Sequence, residues 1–277
     1  MPVTTLAEAL PYVGWITLIT LAVGAFVFVA IVGTLTDATA GYLRFTALTA
    51  GVIAGLAFLV DGSLPIPTEL AIRPAPADLD AGRRTALGAF VVATFVYGVV
   101  LGRPRGRPIL GAVGCALGAA TLLWAAAGWA PCGVDAVPLA VQLGILSAVT
   151  GGSMAAIALG HWYLVTPKLS ERPLMLEIRM LFAALIVQAL LFVVWTTLGG
   201  GVDQEAWEAL SGPSSLLVIL RGGITILFPL ILVYMALRTA QTRSMESATG
   251  LLYINLAAVL AGTIGAGYLY VTSGLLV

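Results

Sequence analysis

Side chains with acid–base chemistry lie on either side of one short loop in the second half of the chain. His161 is the only histidine and is followed closely by Tyr163, while Glu177 and Arg179 come after a short segment that contains prolines. An imidazole can hydrogen-bond a carbonyl oxygen and pass a proton to a neighbouring carboxylate. His161, Tyr163, Glu177 and Arg179 are therefore the candidate residues of a quinone-headgroup or proton-relay site.

The same residues allow an interpretation that needs no ligand. Trp162 and Tyr163 are typical of the aromatic belt at a membrane surface, where His161 and Arg179 would simply meet lipid headgroups. The residue types and their spacing do not decide between a quinone or proton site and an interface anchor.

Three further polar residues are secondary candidates. If a helix begins at Leu216, Arg221 lies inside the apolar layer and can bind an anion or a carboxylate; if it begins at Arg221, the side chain snorkels to the surface. The internal repeat described below favours snorkelling. Gln188 and Asn255 are more typical of hydrogen bonds between helices than of ligand contacts.

The elements that position these residues are long apolar segments. Hydrophobic residues make up 60% of the chain and charged residues 9%, with a mean hydropathy of +1.05, which excludes a water-soluble globule. The runs are too long and too continuously apolar for a transmembrane barrel, so the sequence predicts an all-α polytopic membrane protein. The predicted helices span residues 12–35, 42–60, 84–101, 109–129, 139–163, 175–198, 216–237 and 247–271.

The orientation is predicted from the 13 basic residues. Those in or beside the odd-numbered loops are Arg44, Arg103, Arg105, Arg107, Lys168, Arg172, Arg179, Arg238 and Arg243. The remainder, Arg73, Arg83, Arg84 and Arg221, lie on the other side. The positive-inside rule therefore places the odd loops in the cytoplasm and both termini outside, most simply in a bacterial inner membrane. Nothing in the charge pattern suggests a nucleic-acid partner.

Corresponding residues recur in the two halves of the chain. Arg84 is followed 13 positions later by Tyr97, and Arg221 is followed 13 positions later by Tyr234, each tyrosine after a valine. Two units of four helices keep the same orientation, because an even number of crossings restores direction. The sequence thus predicts a parallel duplication into two four-helix bundles. The two bundles comprise residues 1–133 and 134–277.

The cysteine and histidine content bears on cofactors. Cys115 and Cys132 are 17 positions apart, or ~25 Å along a helix, so a disulfide between them is not expected. No CxxC or CxxCH motif is present, so we expect neither a metal site nor covalent haem. A haem held by two side chains is not expected either, because Met154 lies on the same helix as His161.

In outline the chain resembles the NrfD/PsrC/DmsC class of membrane subunits, which have eight or more spans built from two four-helix bundles. The resemblance rests on span count, size, the apparent duplication and the polar cluster at one membrane face, and no family motif matches residue by residue. It implies an integral subunit of a respiratory or other redox complex, which exchanges electrons between a quinone and an iron–sulfur partner without haem of its own. The chain departs from many such subunits because its cluster lies on the predicted cytoplasmic side.

Two other functions remain open from the sequence. A small secondary transporter or permease fits the glycine content and the repeat. Against transport, no span interior is expected to hold a buried acidic residue, and no span is clearly broken at its midpoint. A membrane scaffold without a ligand fits the scarcity of buried polar groups.

Overall fold

A computed structural model describes residues 3–100, 107–131, 135–166, 169–200 and 205–277. Within these ranges all regular secondary structure is helical, which confirms the all-α class. Eight of the helices are long and apolar enough to cross a membrane, as predicted. They are α1 (Val3–Leu35), α2 (Ala40–Asp61), α3 (Ala77–Val100), α4 (Arg107–Trp129), α5 (Ala136–Val165), α6 (Arg172–Leu198), α7 (Ser215–Gln241) and α8 (Met245–Ser273).

The helices extend beyond the apolar runs that predicted them. The largest differences are at the starts of α1, which begins at Val3 and contains Pro11, and of α3, which begins at Ala77. Asp78 and Asp80 lie in the first turn of α3, where carboxylates stabilise the positive end of the helix dipole. Charged helical turns of this kind can project from the apolar layer, and an apolar-run criterion does not detect them.

Helix α7 is irregular near its middle. Residues Arg221–Leu227 form a π-helical segment, and Phe228 begins the next α-helical part of α7 by donating its N–H to the carbonyl of Gly223. Pro229 follows immediately. Proline lacks an N–H and its ring needs room in the preceding turn, which a wide π-type turn supplies.

Helices α1 and α5 form the centre of the molecule. In each, 72% of the most apolar window is buried, against 28% to 39% in the other six. They cross closely at Gly24 and Gly151: a Cβ atom added to Gly151 would lie 2.3 Å from the backbone nitrogen of Ala25. Glycine is therefore required at this crossing, because a side chain would push the two backbones apart.

The other six helices surround this central pair. Helix α1 packs on α2 and α4, while α2 packs on α3 and α3 on α4. Helix α5 packs on α6 and α8, while α6 packs on α7 and α7 on α8. Contacts of α1 with α8 and of α4 with α5 complete a continuous core. The division of the chain at residue 133 stays a prediction.

The two ends of the bundle differ: a connecting segment is held against one of them, and basic residues are concentrated at the other. At one end the connection between α2 and α3 is tied down, because Glu8 accepts hydrogen bonds from Thr68 and Glu69 and the N–H of Ala71 donates to Val271 at 2.9 Å. The start of α1 and the end of α8 therefore lie at this end. The opposite end, here named the basic end, carries Arg44, Arg107, Arg172, Arg179, Arg238 and Arg243.

Candidate functional site

A buried acid–phenol pair joins α2 to α6 near the basic end. Tyr42 lies in the first turn of α2, where its N–H donates to the N-capping side chain of Thr39 at 3.4 Å. Glu177 lies in the second turn of α6. Both residues have 0% exposure, and the Tyr42 phenol donates a hydrogen bond to Oε1 of Glu177. The phenol oxygen is also 3.5 Å from the carbonyl of Ala155 on α5, so three helices meet here.

The second oxygen of this carboxyl group is unsatisfied. Oε2 of Glu177 is buried and has no hydrogen-bond partner among the described residues, and no ion pair in that part of the chain involves Glu177. An ionised carboxylate is costly in a protein interior when no counter-charge faces it. The site therefore suits a protonated carboxyl, or one that receives a hydrogen bond from a ligand or water.

The other predicted site residues lie apart from this pair. His161 and Arg179 are exposed, whereas Tyr163 is buried and donates its phenol hydrogen bond to the carbonyl of Ser170. In the described part of the chain no hydrogen bond or ion pair joins His161 to Glu177 or Arg179. The structure thus brings Glu177 together with Tyr42, and a shared role of the four predicted residues stays a prediction.

Two clefts open at the basic end. The larger, named here the α1–α6–α7 cleft, has a volume of about 500 Å³. Its lining residues are Leu35, Thr36, Glu171, Arg172, Met175, Leu176, Arg179 and Gln241. The smaller, of about 350 Å³, lies beside Tyr163 and the turn between α7 and α8. Arg243 of the smaller cleft and Glu171 of the larger form an ion pair at 3.3 Å.

The secondary candidates are all buried. Arg221 is only 4% exposed, so the snorkelling interpretation is wrong. Its Nε donates to the carbonyl of Val277 and its Nη1 to the carbonyl of Gly262, each at 2.7 Å. The physical reason is that α7 begins at Ser215, which places Arg221 inside the helix at the start of the π-helical segment.

The two amides form contacts of different kinds. Nδ2 of Asn255 donates to the Ser153 hydroxyl at 2.8 Å and so links α8 to α5. Its Oδ1 and the Oε1 of Gln188 are buried without a partner among the described residues. Hydrogen bonds between helices are the ordinary role of such amides in membranes.

A second buried polar cluster lies at the end opposite the basic end. Arg83 is 2% exposed; its Nε is 2.8 Å from Oδ1 of Asp61, and its Nη2 is 2.6 Å from Oδ1 of Asp80. The guanidinium also lies over the rings of Trp15 and Trp129, at 5.7 Å and 5.1 Å from their centroids. This Arg83 cluster fastens α3 to α1, α2 and α4.

Sequence reasoning missed Tyr42, Asp61 and Arg83 as buried polar residues. The expectation that no span interior holds a buried acid is wrong at Glu177, which is buried in the second turn of α6. Asp61, the last residue of α2, is buried as well. A signal for Tyr42 was present: it stands 135 positions before Glu177, the same separation as between Arg44 and Arg179. The duplication itself stays a prediction.

Cys115 is a partly buried free thiol, and Cys132 lies outside the described residues. In the described ranges no group of three His, Cys, Asp or Glu side chains is placed to hold a metal ion. Comparison of the chain with models of protein families and with curated proteins finds no match.

Proposed function

We propose that the chain is an integral membrane subunit of a redox complex, in which the Tyr42–Glu177 pair exchanges a proton with a quinone. The observation that carries the proposal is the geometry of Glu177, which is fully buried, held on one oxygen by Tyr42 and free on the other. An ionisable residue inside a membrane bundle is expensive and normally serves an ion, proton or substrate path.

The chemistry that fits this geometry is proton delivery. Reduction of a quinone to a quinol takes up two electrons and two protons. The electrons come from an iron–sulfur partner subunit, as in the NrfD/PsrC/DmsC class. Glu177 delivers the two protons one after the other and is reprotonated from the adjoining aqueous phase between the transfers, with the Tyr42 hydroxyl as its hydrogen-bond partner. The exposed His161 ring, at the end of α5, meets the quinone headgroup at the membrane surface. Tyr163 and Arg179 belong to the same end of α5 and α6.

The orientation follows the charge distribution. The basic end faces the cytoplasm of a bacterial inner membrane and both termini face outward, because basic residues are retained on the cytoplasmic side. Glu177, which lies near the basic end, then takes its proton from the cytoplasm.

The pair also lies at the junction of a parallel repeat. Every packing contact within α1–α4 has a counterpart within α5–α8. Tyr42 contacts Glu177 at a separation of 135 positions, which also relates Arg44 to Arg179. Contacts between equivalent positions lie on a two-fold axis, so these observations support a pseudo-two-fold axis between residues 1–133 and 134–277.

A proton-coupled transporter is the second candidate. Two observations favour it: the buried Glu177 at the junction of the two halves, and the π-helical segment Arg221–Leu227 inside α7. Irregular helical turns in membrane helices commonly lie at functional sites. In this case Glu177 would couple proton movement to a substrate that the chain carries without electron transfer.

The test measures quinone reduction by the complex purified from native membranes. Glu177→Gln keeps the shape of the side chain but cannot release a proton, so we expect quinone reduction to fall by about 10²-fold or more. Tyr42→Phe should lower it less, and His161→Ala should abolish it while leaving the protein folded. Glu246→Gln, an exposed acid at the basic end, and Tyr253→Phe, an exposed phenol, are the matched controls.

The outcomes separate the two candidates. Co-purifying iron–sulfur subunits together with loss of quinone reduction in Glu177→Gln support the redox function. A chain that purifies without redox partners, and whose proton-driven uptake in vesicles is lost in Glu177→Gln, establishes the transporter. Unchanged quinone reduction and unchanged proton uptake in Glu177→Gln would overturn the proton site itself.

A further inference from the structure

We propose that the α1–α6–α7 cleft binds the phosphate headgroup of an acidic phospholipid from the adjoining membrane leaflet. The cleft is separate from the Tyr42–Glu177 pair, because its lining includes neither residue. The proposal does not depend on the function proposed above.

Two arginines on one face of α6 supply the charge. Arg172 and Arg179 both line the cleft, and their spacing of seven residues, two helical turns, places them on the same side of the helix. Both are exposed. Within the described residues neither forms an ion pair or a side-chain hydrogen bond.

The acid in the cleft is already engaged. Glu171 forms its ion pair with Arg243 at 3.3 Å, across the boundary to the neighbouring cleft. Its nearest cation, Arg243, does not line this cleft, and neither Arg172 nor Arg179 forms an ion pair with Glu171. An anion entering the cleft supplies the missing charge.

Two other arginines at the basic end donate hydrogen bonds to backbone carbonyls. Nε of Arg44, the repeat counterpart of Arg179, donates to the carbonyl of Gly98 at 3.1 Å, and Nη1 of Arg107 donates to the carbonyl of Gly33 at 3.0 Å. Arg238 is exposed and forms no ion pair or side-chain hydrogen bond within the described residues, so a free guanidinium alone does not mark a site on this surface. Arg172 and Arg179 are distinguished by sharing one cavity.

The remaining walls indicate a lipid rather than a free anion. Leu35, Met175 and Leu176 make part of the lining apolar, and the cleft lies at the end of membrane-spanning helices, where headgroups and the first methylenes of acyl chains meet the protein. A guanidinium binds phosphate oxygens in a bidentate manner. A headgroup with a net negative charge is favoured over a zwitterionic one, since two cations face it.

The experiment measures lipid binding to the purified full-length protein. The protein is exchanged into micelles that contain equal amounts of phosphatidylglycerol and phosphatidylcholine, and the retained lipids are counted by native mass spectrometry. We expect retained phosphatidylglycerol on the parent protein. Replacement of both arginines, Arg172→Gln with Arg179→Gln, should weaken its binding by about 25-fold, since each arginine near a membrane surface contributes about fivefold.

Control variants keep the result interpretable. Arg238→Gln removes an exposed arginine of the same end that does not line this cleft, and it should retain phosphatidylglycerol. Arg179→Lys keeps the charge but loses the bidentate geometry, so it should bind with intermediate affinity even if the double variant fails to fold. Glu177→Gln should bind lipid normally, which separates this site from the proton site.

Three results would overturn the proposal. One is equal retention of phosphatidylglycerol by the parent protein, the double variant and Arg179→Lys. Another is equal retention of phosphatidylcholine and phosphatidylglycerol by the parent protein. The third is complete displacement of the lipid by inorganic phosphate at millimolar concentration, which would make the cleft a site for free anions.

Discussion

Replacement of Asp61 by asparagine tests the Arg83 cluster, in which a charged guanidinium group is buried. The change keeps the size of the side chain and removes its charge. Asp61 and Arg83 have side-chain exposures of 1% and 2%, so neither side chain can turn to water when the other changes. The guanidinium would lose the one carboxylate that is buried with it.

The expected magnitude follows from these contacts. Removing one partner of a buried ion pair costs about 3–5 kcal/mol, because the remaining charge stays buried. Asp80 at 2.6 Å and the rings of Trp15 and Trp129 still face the guanidinium, which favours the lower limit, about 3 kcal/mol. Asp80 is 51% exposed, so Asp80→Asn should cost about 1 kcal/mol or less.

The assay is reversible unfolding in mixed micelles, with increasing mole fraction of dodecyl sulfate and tryptophan fluorescence as the signal. Asp61→Asn should lower the free energy of unfolding by about three times as much as Asp80→Asn. The double variant Asp61→Leu with Arg83→Met should recover most of that loss, since apolar side chains of similar size often replace a buried pair without cost. If Asp80→Asn lowers the free energy of unfolding as much as Asp61→Asn does, the assignment of Asp61 as the main partner of Arg83 is refuted.

Three further predictions address the packing, the orientation and the repeat. Gly151→Ala should destabilise the fold by about 3 kcal/mol in the same unfolding assay, because the added carbon meets backbone atoms of α1, whereas Gly144→Ala, with nothing within 4 Å, should be neutral. Ser63→Cys, with the native cysteines replaced, should react with an impermeant maleimide in intact cells; labelling only after permeabilisation would invert the orientation. Exchange of the two paired residues, Tyr42→Glu with Glu177→Tyr, should be more stable than either single change, and simple additivity of the two losses would contradict their equivalence.

The eight membrane-spanning helices could be predicted because each apolar run is long enough to cross a bilayer. The ends of the helices could not be predicted in the same way. The charged first turns of α3 are helical because of packing and the helix dipole, and a search for apolar runs does not detect them. Arg83 and Arg84 illustrate the limit further. Consecutive residues of a helix point about 100° apart, and here one guanidinium is buried while the other is 44% exposed.

The same geometry explains how far the candidate site was predictable. Glu177 could be selected because an acid at the start of an apolar run is costly to bury, but its burial depends on which face of α6 turns inward. Arg179, two residues further along that helix, faces outward. The partner of Glu177 lies 135 residues away on α2, beyond any local pattern. In the sequence, Tyr42 and Glu177 are linked only by their separation of 135 positions, which Arg44 and Arg179 share, and a shared separation does not tell which of the two residues at each position is buried.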